Sequence, residues 1–218
     1  MLEKLKAKLE AMRIANAKPI DPKQFNDSIA LLTQWYPLRS GGANFKTNVL
    51  IKVSSSLYRY QLSMGGKFFL GMFGFFGLIA LLVSAYLFLT GKFGAGLFLL
   101  SFGSIFGGLS IFLYKTLGIP KVFDAKMGIY WSGHKQPQFA GDQKSNQELV
   151  YFSKIHALQV LSKRVRSKNG SYKSYEVNLV MRDGSRLNLV DHGNQSEILY
   201  DVETLSAFMG KPVWNVSA

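Results

Sequence analysis

Between Asp27 and Asp124 the chain has no carboxylate, and between Lys67 and Lys115 its only charge is Lys92. Residues 68–89 read FFLGMFGFFGLIALLVSAYLFL and residues 93–114 read FGAGLFLLSFGSIFGGLSIFLY, each without a charge. As a helix, either stretch is ~33 Å long, against a bilayer hydrocarbon thickness of ~30 Å. Lipid offers the backbone no hydrogen-bond partner, so such a stretch crosses as a helix. Only Thr90, Gly91 and Lys92 separate the two, which makes them antiparallel neighbours. A buried hairpin of a soluble protein would carry a polar stripe, and neither helix has one. A cleaved leader is also not expected, because the first apolar run starts near residue 68 and the first twenty residues are highly charged.

Orientation follows from the positive residues, which resist translocation. Lys52, Arg59 and Lys67 precede the first span and Lys115, Lys121 and Lys126 follow the second, against Lys92 alone in the turn. Both termini are therefore expected on the cytoplasmic side. Residues 1–67 hold eleven basic and four acidic side chains, and residues 116–218 thirteen and nine, so topology and anionic lipid account for most of the net charge of +13. No nucleic-acid partner is needed to explain it.

Small residues recur along both spans: Gly71, Gly74 and Gly77 in the first, Gly103 and Gly107 in the second. Such faces let helices approach closely, within the hairpin, against a second copy or against another membrane protein; Gly is also simply frequent in membrane helices. No ionisable residue lies at mid-depth, which argues against a proton relay or ion path.

After Gly118 and Pro120 the composition becomes that of a β domain, expected over 119–218. Short strands are expected at 121–125, 128–131 and 149–152, and a longer one at 155–165. The turn signals Asn169-Gly170 and Asp183-Gly184 organise the rest. Val177, Leu179 and Met181 alternate with Glu176, Asn178 and Arg182, then Leu187 and Leu189 with Arg186 and Asn188, the pattern of a half-buried antiparallel sheet. A two-residue loop at Asp183-Gly184 would set Met181 against Arg186 and mix the two faces. A three-residue loop, Arg182 to Gly184, sets Leu179 against Leu187 and Val177 against Leu189, with Gly184 left-handed. The chain then closes with a helix capped by Asn194, striped by Ile198, Val202, Leu205 and Met209, and stopped by Gly210 and Pro212. The expected fold class is thus α+β: a two-helix transmembrane hairpin plus a pleckstrin-homology (PH)-like antiparallel β barrel or sheet closed by a C-terminal α-helix, with other α+β folds sharing that order of elements.

A two-helix hairpin followed by a β domain, and in particular the run RDGSRLNLVDHGNQSEI with LSAFMGKPVWN beyond it, resembles bacterial inner-membrane proteins carrying a bacterial PH-like domain. The resemblance covers about the last half of the chain in pattern and the hairpin in layout. It implies the bacterial inner membrane as location and is nearly silent on activity, although similarly built proteins include assembly factors of membrane complexes.

Ahead of the hairpin, residues 1–20 place Leu2, Leu5, Leu9 and Met12 on one helical stripe and Lys4, Lys6, Lys8 and Arg13 on the remainder. This basic amphipathic helix either lies on anionic lipid, at about 1 kcal/mol per basic residue, or packs on the C-terminal domain or a partner. Residues 21–66 are expected to be a cytoplasmic linker around an apolar patch at 29–36, with two strands within 45–62. Those strands are candidates to join the C-terminal sheet, which would make the hairpin an insertion.

Signs of catalysis are missing. His134, His156 and His192 show no metal-ligand spacing, and no nucleophile elbow, P-loop or cysteine is present. No catalytic residue, metal or cofactor is expected; His192 is read as fixing a turn by a hydrogen bond. The one surface constellation is Lys163, Arg164, Arg166, Lys168 and Lys173, five cations around Asn169-Gly170 with no carboxylate from Ile155 to Tyr175. It is either a solvated loop near a negative membrane or a site for a lipid headgroup or protein partner, and Arg164-Val165-Arg166 is similar to the end of the (K/R)-x-R pattern by which PH domains hold phosphorylated headgroups. The sequence points first to a non-enzymatic, membrane-anchored PH-like protein binding a protein partner or a second copy, then to anionic-lipid binding, and last to an oligomeric pore or transporter subunit.

Overall fold

The computed structural model describes residues 20–39, 41–42, 44–137, 148–167 and 170–217. The amphipathic helix expected over residues 1–20 falls almost wholly outside these residues, as does Lys168.

Two long apolar helices dominate one end of the molecule, α2 (Met64–Leu89) and α3 (Phe93–Leu117); a short helix, α1 (Ser28–Leu32), precedes them. Both are long and apolar enough to cross a membrane, and few of their residues are buried within the chain. Each exceeds its predicted span by about a turn at the end nearest the β strands. At α2 the extension is set by Ser63, whose Oγ accepts from Gly66 N at 3.0 Å and donates to Lys46 O at 2.5 Å.

The helices meet through glycine. A Cβ on Gly77 would come within 2.7 Å of Gly107 N and 3.1 Å of Gly103 O, and one on Gly103 within 2.8 Å of Leu81. Gly74 faces Ser110, whose hydroxyl donates across to Leu70 O at 3.0 Å, and Ser84 likewise donates to Gly96 O at 2.7 Å. Gly71 faces open space. Gly74, Gly77 and Gly103 therefore serve the hairpin's own seam, whereas Gly107 meets Gly77 only through its backbone and has open space on its own Cβ side. Gly77→Leu should push the helices apart and cost about 1–3 kcal/mol by overpacking, read as a lower thermal midpoint in micelles, while Gly71→Leu should leave that midpoint unchanged.

The remaining elements form two sheets. In the first, β1 (Asn48–Ser54), β2 (Leu57–Leu62), β3 (Lys121–Asp124), β4 (Ile129–Ser132) and β5 (Leu149–Tyr151) lie antiparallel in chain order. Here β2 pairs with β3 from Leu57↔Asp124 to Tyr60↔Lys121, so the two strands within residues 45–62 join strands that follow the hairpin, and the helical hairpin is inserted between adjacent strands. In the second, the order is β8 (Arg186–His192), β7 (Gly170–Met181), β6 (Ile155–Ser167), β9 (Val213–Val216), with β9 parallel to β6. The two sheets face each other over Tyr60, Phe123 and Tyr130 on one side and Leu158, Val160, Val177 and Leu179 on the other. The final helix, α4 (Gln195–Met209), adds Ile198, Val202 and Leu205 to that core.

Among the described residues no ladder joins the two sheets, so the expected barrel is not closed. Among the described residues the three-residue β5 ends the first sheet and β8 ends the second, each with a strand neighbour on one side only. The β7–β8 loop has the three-residue form: Met181 N donates to Ser185 O at 2.8 Å, Gly184 has φ +80°, and Leu179 opposes Leu187. Further along, a bulge shifts the register, so Val177 opposes Val190 and not Leu189. Asn194 Oδ1 caps α4 by accepting from Glu197 N, Gly210 ends it at φ +64°, and His192 Nδ1 accepts from Asn194 N at 3.0 Å to hold the turn before it.

Residues 20–39, expected as part of a linker, fold back over the outer face of the second sheet. Asp21 caps a 3-10 turn at Pro22–Phe25 and Asp27 caps α1. Ala30, Ile29, Phe25 and Trp35 then pack on Ala157, Val180 and Trp214. Phe25 and Trp35 stack at 4.9 Å, Trp35 lies 5.6 Å from Trp214, and Asp27 Oδ2 meets His156 Nε2 at 2.7 Å. The middle of the second sheet's outward face is thus covered as well, with Ala157, Gln159, Glu176, Asn178 and Val180 fully buried.

Candidate functional site

Where a barrel would close, the structure leaves a groove of about 740 Å³ between β5 and the β7–β8 hairpin. Leu149, Val150 and Tyr151 form one wall and Met181 and Leu187 the other. Charged side chains ring it: Glu148, Lys154, Arg182, Asp183 and Arg186. The hairpin wall is held in shape locally. Asp183 Oδ1 accepts from Ser185 N at 2.9 Å and Ser185 Oγ at 2.6 Å, and these bonds hold the Asp183 carboxyl below the usual range. Gly184 sits at φ +80° with Leu32 of α1 3.1 Å from where a Cβ would be, so a side chain there is both strained and tight. Lys154 O accepts from Arg182 N at 3.0 Å and ties the β5–β6 turn to the same loop. Tyr151 is 42% exposed at the open edge. An apolar trough beside the outer edge of β5, with charges of both signs at its rim, suits an extended peptide better than a small reactant.

The basic constellation is not one surface. Arg164, Arg166 and Lys173 are exposed on the β6–β7 hairpin, with Arg164 directly opposite Lys173 and its Nε donating to Ser171 Oγ at 2.8 Å. Lys163 is the correction: it is 7% exposed and points to the other face. Its Nζ lies 2.9 Å from both Glu176 Oε2 and Asp191 Oδ1, and 3.1 Å from Arg39 O. Strand alternation is the cause, since Lys163 shares the outward face with Gln159 while Arg164 faces the opposite way.

That outward face carries a polar network that sequence reasoning missed. Glu176 Oε1 accepts from Leu38 N at 2.7 Å and Oε2 from Arg39 N at 3.2 Å. Gln159 donates to Gln34 O at 3.1 Å, and Arg186 donates to Tyr36 O at 2.8 Å while lying over the Tyr36 ring. Burial pushes the Glu176 carboxyl up, but Lys163 and the Leu38 N–H outweigh it and hold the pKa below normal. At Asp191 burial wins over Lys163 and the pKa is raised. The network is a fastening for residues 34–39 and faces little solvent, so its chemistry is structural.

A second buried acid lies where α4 meets β2. Burial pushes the Asp201 carboxyl up to about 6, against the pull of Lys46 and the adjacent Tyr60 hydroxyl, with Glu197 adding to the rise; Lys46 itself pairs with Glu197. Because this pKa is above the unfolded value of 3.8, the folded chain keeps a proton that the unfolded chain loses. The contribution of Asp201 to stability is expected to fall as pH rises from about 4 to about 6 and to level off above that. Asp201→Asn should flatten this slope, as followed by thermal unfolding across that range.

Comparison with family models, curated proteins and solved structures gave no match to this chain.

Proposed function

We propose that this chain is a non-enzymatic protein anchored in the bacterial inner membrane by α2 and α3, with both termini cytoplasmic, whose PH-like β unit binds a segment of a protein partner during assembly or regulation of a membrane complex. The observation that carries the reading is the groove between β5 and the β7–β8 hairpin, where an apolar wall lies beside a strand edge free to accept another strand. Two sheets covered at one end by an N-capped C-terminal helix support the PH-like reading, and the exposed apolar surface of α2 and α3 supports the anchor.

A photo-crosslinking residue in place of Tyr151 in the intact cell tests it. The expected result is a discrete crosslinked species that disappears when Leu187→Arg places a charge in the trough and that is absent when the probe replaces Val53 on β1. Equal crosslinking from both positions, or a species indifferent to Leu187→Arg, would refute groove binding. A second reading, anionic-lipid binding by the β6–β7 hairpin, is favoured by the exposed Arg164, Arg166 and Lys173.

A further inference from the structure

A separate pocket of about 410 Å³ sits where the helical hairpin joins the sheets. Leu117, the last residue of α3, forms one wall. Opposite it are Thr47 and Asn48, and Thr47 O accepts from Ser63 N at 2.9 Å, immediately before α2. Arg39, Lys121 and Asp191 bring the charges, with Asn188 and Leu189 between them. The pocket therefore lies at the foot of both apolar helices, at the level where hydrocarbon gives way to headgroups.

Its polar groups are unevenly satisfied. Lys121 Nζ donates to the main-chain oxygens of Leu189 and, at 3.3 Å, Asn188, which leaves one of its three N–H groups. Burial, and then the nearby Arg39 guanidinium, push the Lys121 pKa down to about 8, so two cations crowd one another here. Arg39 is exposed and lines the pocket, with its main chain pinned by Glu176 and Lys163. Thr47 Oγ1 donates to Asn48 Oδ1 at 3.0 Å and leaves the amide nitrogen as the donor end of Asn48. The carboxylate of Asp191 opposes an anion, but its Oδ1 is already bound by buried Lys163. With the Asp191 carboxylate engaged by Lys163, the remaining N–H of Lys121, the Arg39 guanidinium and the Asn48 amide are complementary to phosphate at a headgroup level.

We propose that this pocket binds the phosphate of an anionic lipid headgroup between Arg39 and Lys121, with Asn48 as a third donor. The inference rests on the reading of α2 and α3 as spanning helices, and it assigns lipid binding to a place distinct from the β6–β7 hairpin. The bound lipid fastens residues 20–39, the strap over the outer face of the second sheet, to the hairpin's foot.

The test uses the full chain in nanodiscs of phosphatidylcholine with phosphatidylglycerol, with retained lipid counted by native mass spectrometry. The expected result is selective retention of phosphatidylglycerol, reduced about fivefold or more by Arg39→Glu and by Lys121→Met, the equivalent of one basic contact at an anionic surface. Arg39→Lys should restore most of it, and Arg164→Glu with Arg166→Glu should leave it unchanged. Retention insensitive to Arg39→Glu, or lost only in the Arg164/Arg166 variant, would overturn the site. Displacement of phosphatidylglycerol by millimolar inorganic phosphate would overturn the lipid as source and leave a free phosphate site. Resistance of the same protein to alkaline carbonate extraction reads the spanning helices separately, so a failed anchor and a failed pocket give different results.

Discussion

Glu176→Ala is expected to destabilise the β unit by about 3–5 kcal/mol and to free residues 34–39 from the second sheet. The magnitude follows from what remains behind: Lys163 would stay buried with Asp191 as its one carboxylate, and the Leu38 and Arg39 amides would lose their acceptor. Limited proteolysis gives the clearest reading, since the strap should be cut faster in the variant while the strands of the first sheet keep their protection. Lys163→Met combined with Glu176→Gln should cost less than Glu176→Ala alone, because the one charge left without its partner, Asp191, keeps part of its side chain open to water. If the double variant were the less stable, the ion pair would be a net source of stability here and this account of the network would be wrong.

Trp214→Ala is expected to have a comparable effect, about 3–5 kcal/mol. Trp214 is 3% exposed and lies within 6 Å, centroid to centroid, of Phe25, Trp35 and His156. Its loss leaves a cavity shared by the strap and β9, so the effect should spread to both. The fluorescence of Trp35 should shift to the red as its stacking surface opens to water, and that shift separates release of the strap from general unfolding. Trp214→Phe, which keeps a ring against Phe25 and Trp35, should recover most of the stability.

What the sequence made legible was whatever is encoded by neighbours along the chain. The helical hairpin is a matter of charge-free length, α4 announces itself through Asn194, its apolar stripe and Gly210, and the β7–β8 loop was decided by which register keeps Leu179 with Leu187. The bulge beyond Asn178 left no comparable mark, and so Val177 found Val190. β9 is four residues after a proline, too short for its alternation to stand out, and it is fixed by a parallel partner more than fifty residues away. The strap was hidden for the same reason, because Leu38 and Glu176 are 138 positions apart. Lys163 did carry a signal that proximity to the turn obscured: with period two it falls on the face of Gln159, away from Arg164, and a lysine on a covered face requires carboxylates there. Glu176 and Asp191 on the neighbouring strands were available to supply them.

The pairing of β2 with β3 across the whole helical hairpin also dictates an order of events during biosynthesis. β1 and β2 leave the ribosome first and wait with an unpaired edge until residues 64–117 have been made and the chain has come back to Lys121. The sheet then closes on a contact of long sequence separation, the slowest kind to form unless the intervening segment brings its own ends together. The glycine seam between α2 and α3 does that, delivering Ser63 and Gly118 to the same place. A hairpin that fails to zip therefore leaves β2 with an open edge, on which any neighbouring strand can pair in place of β3.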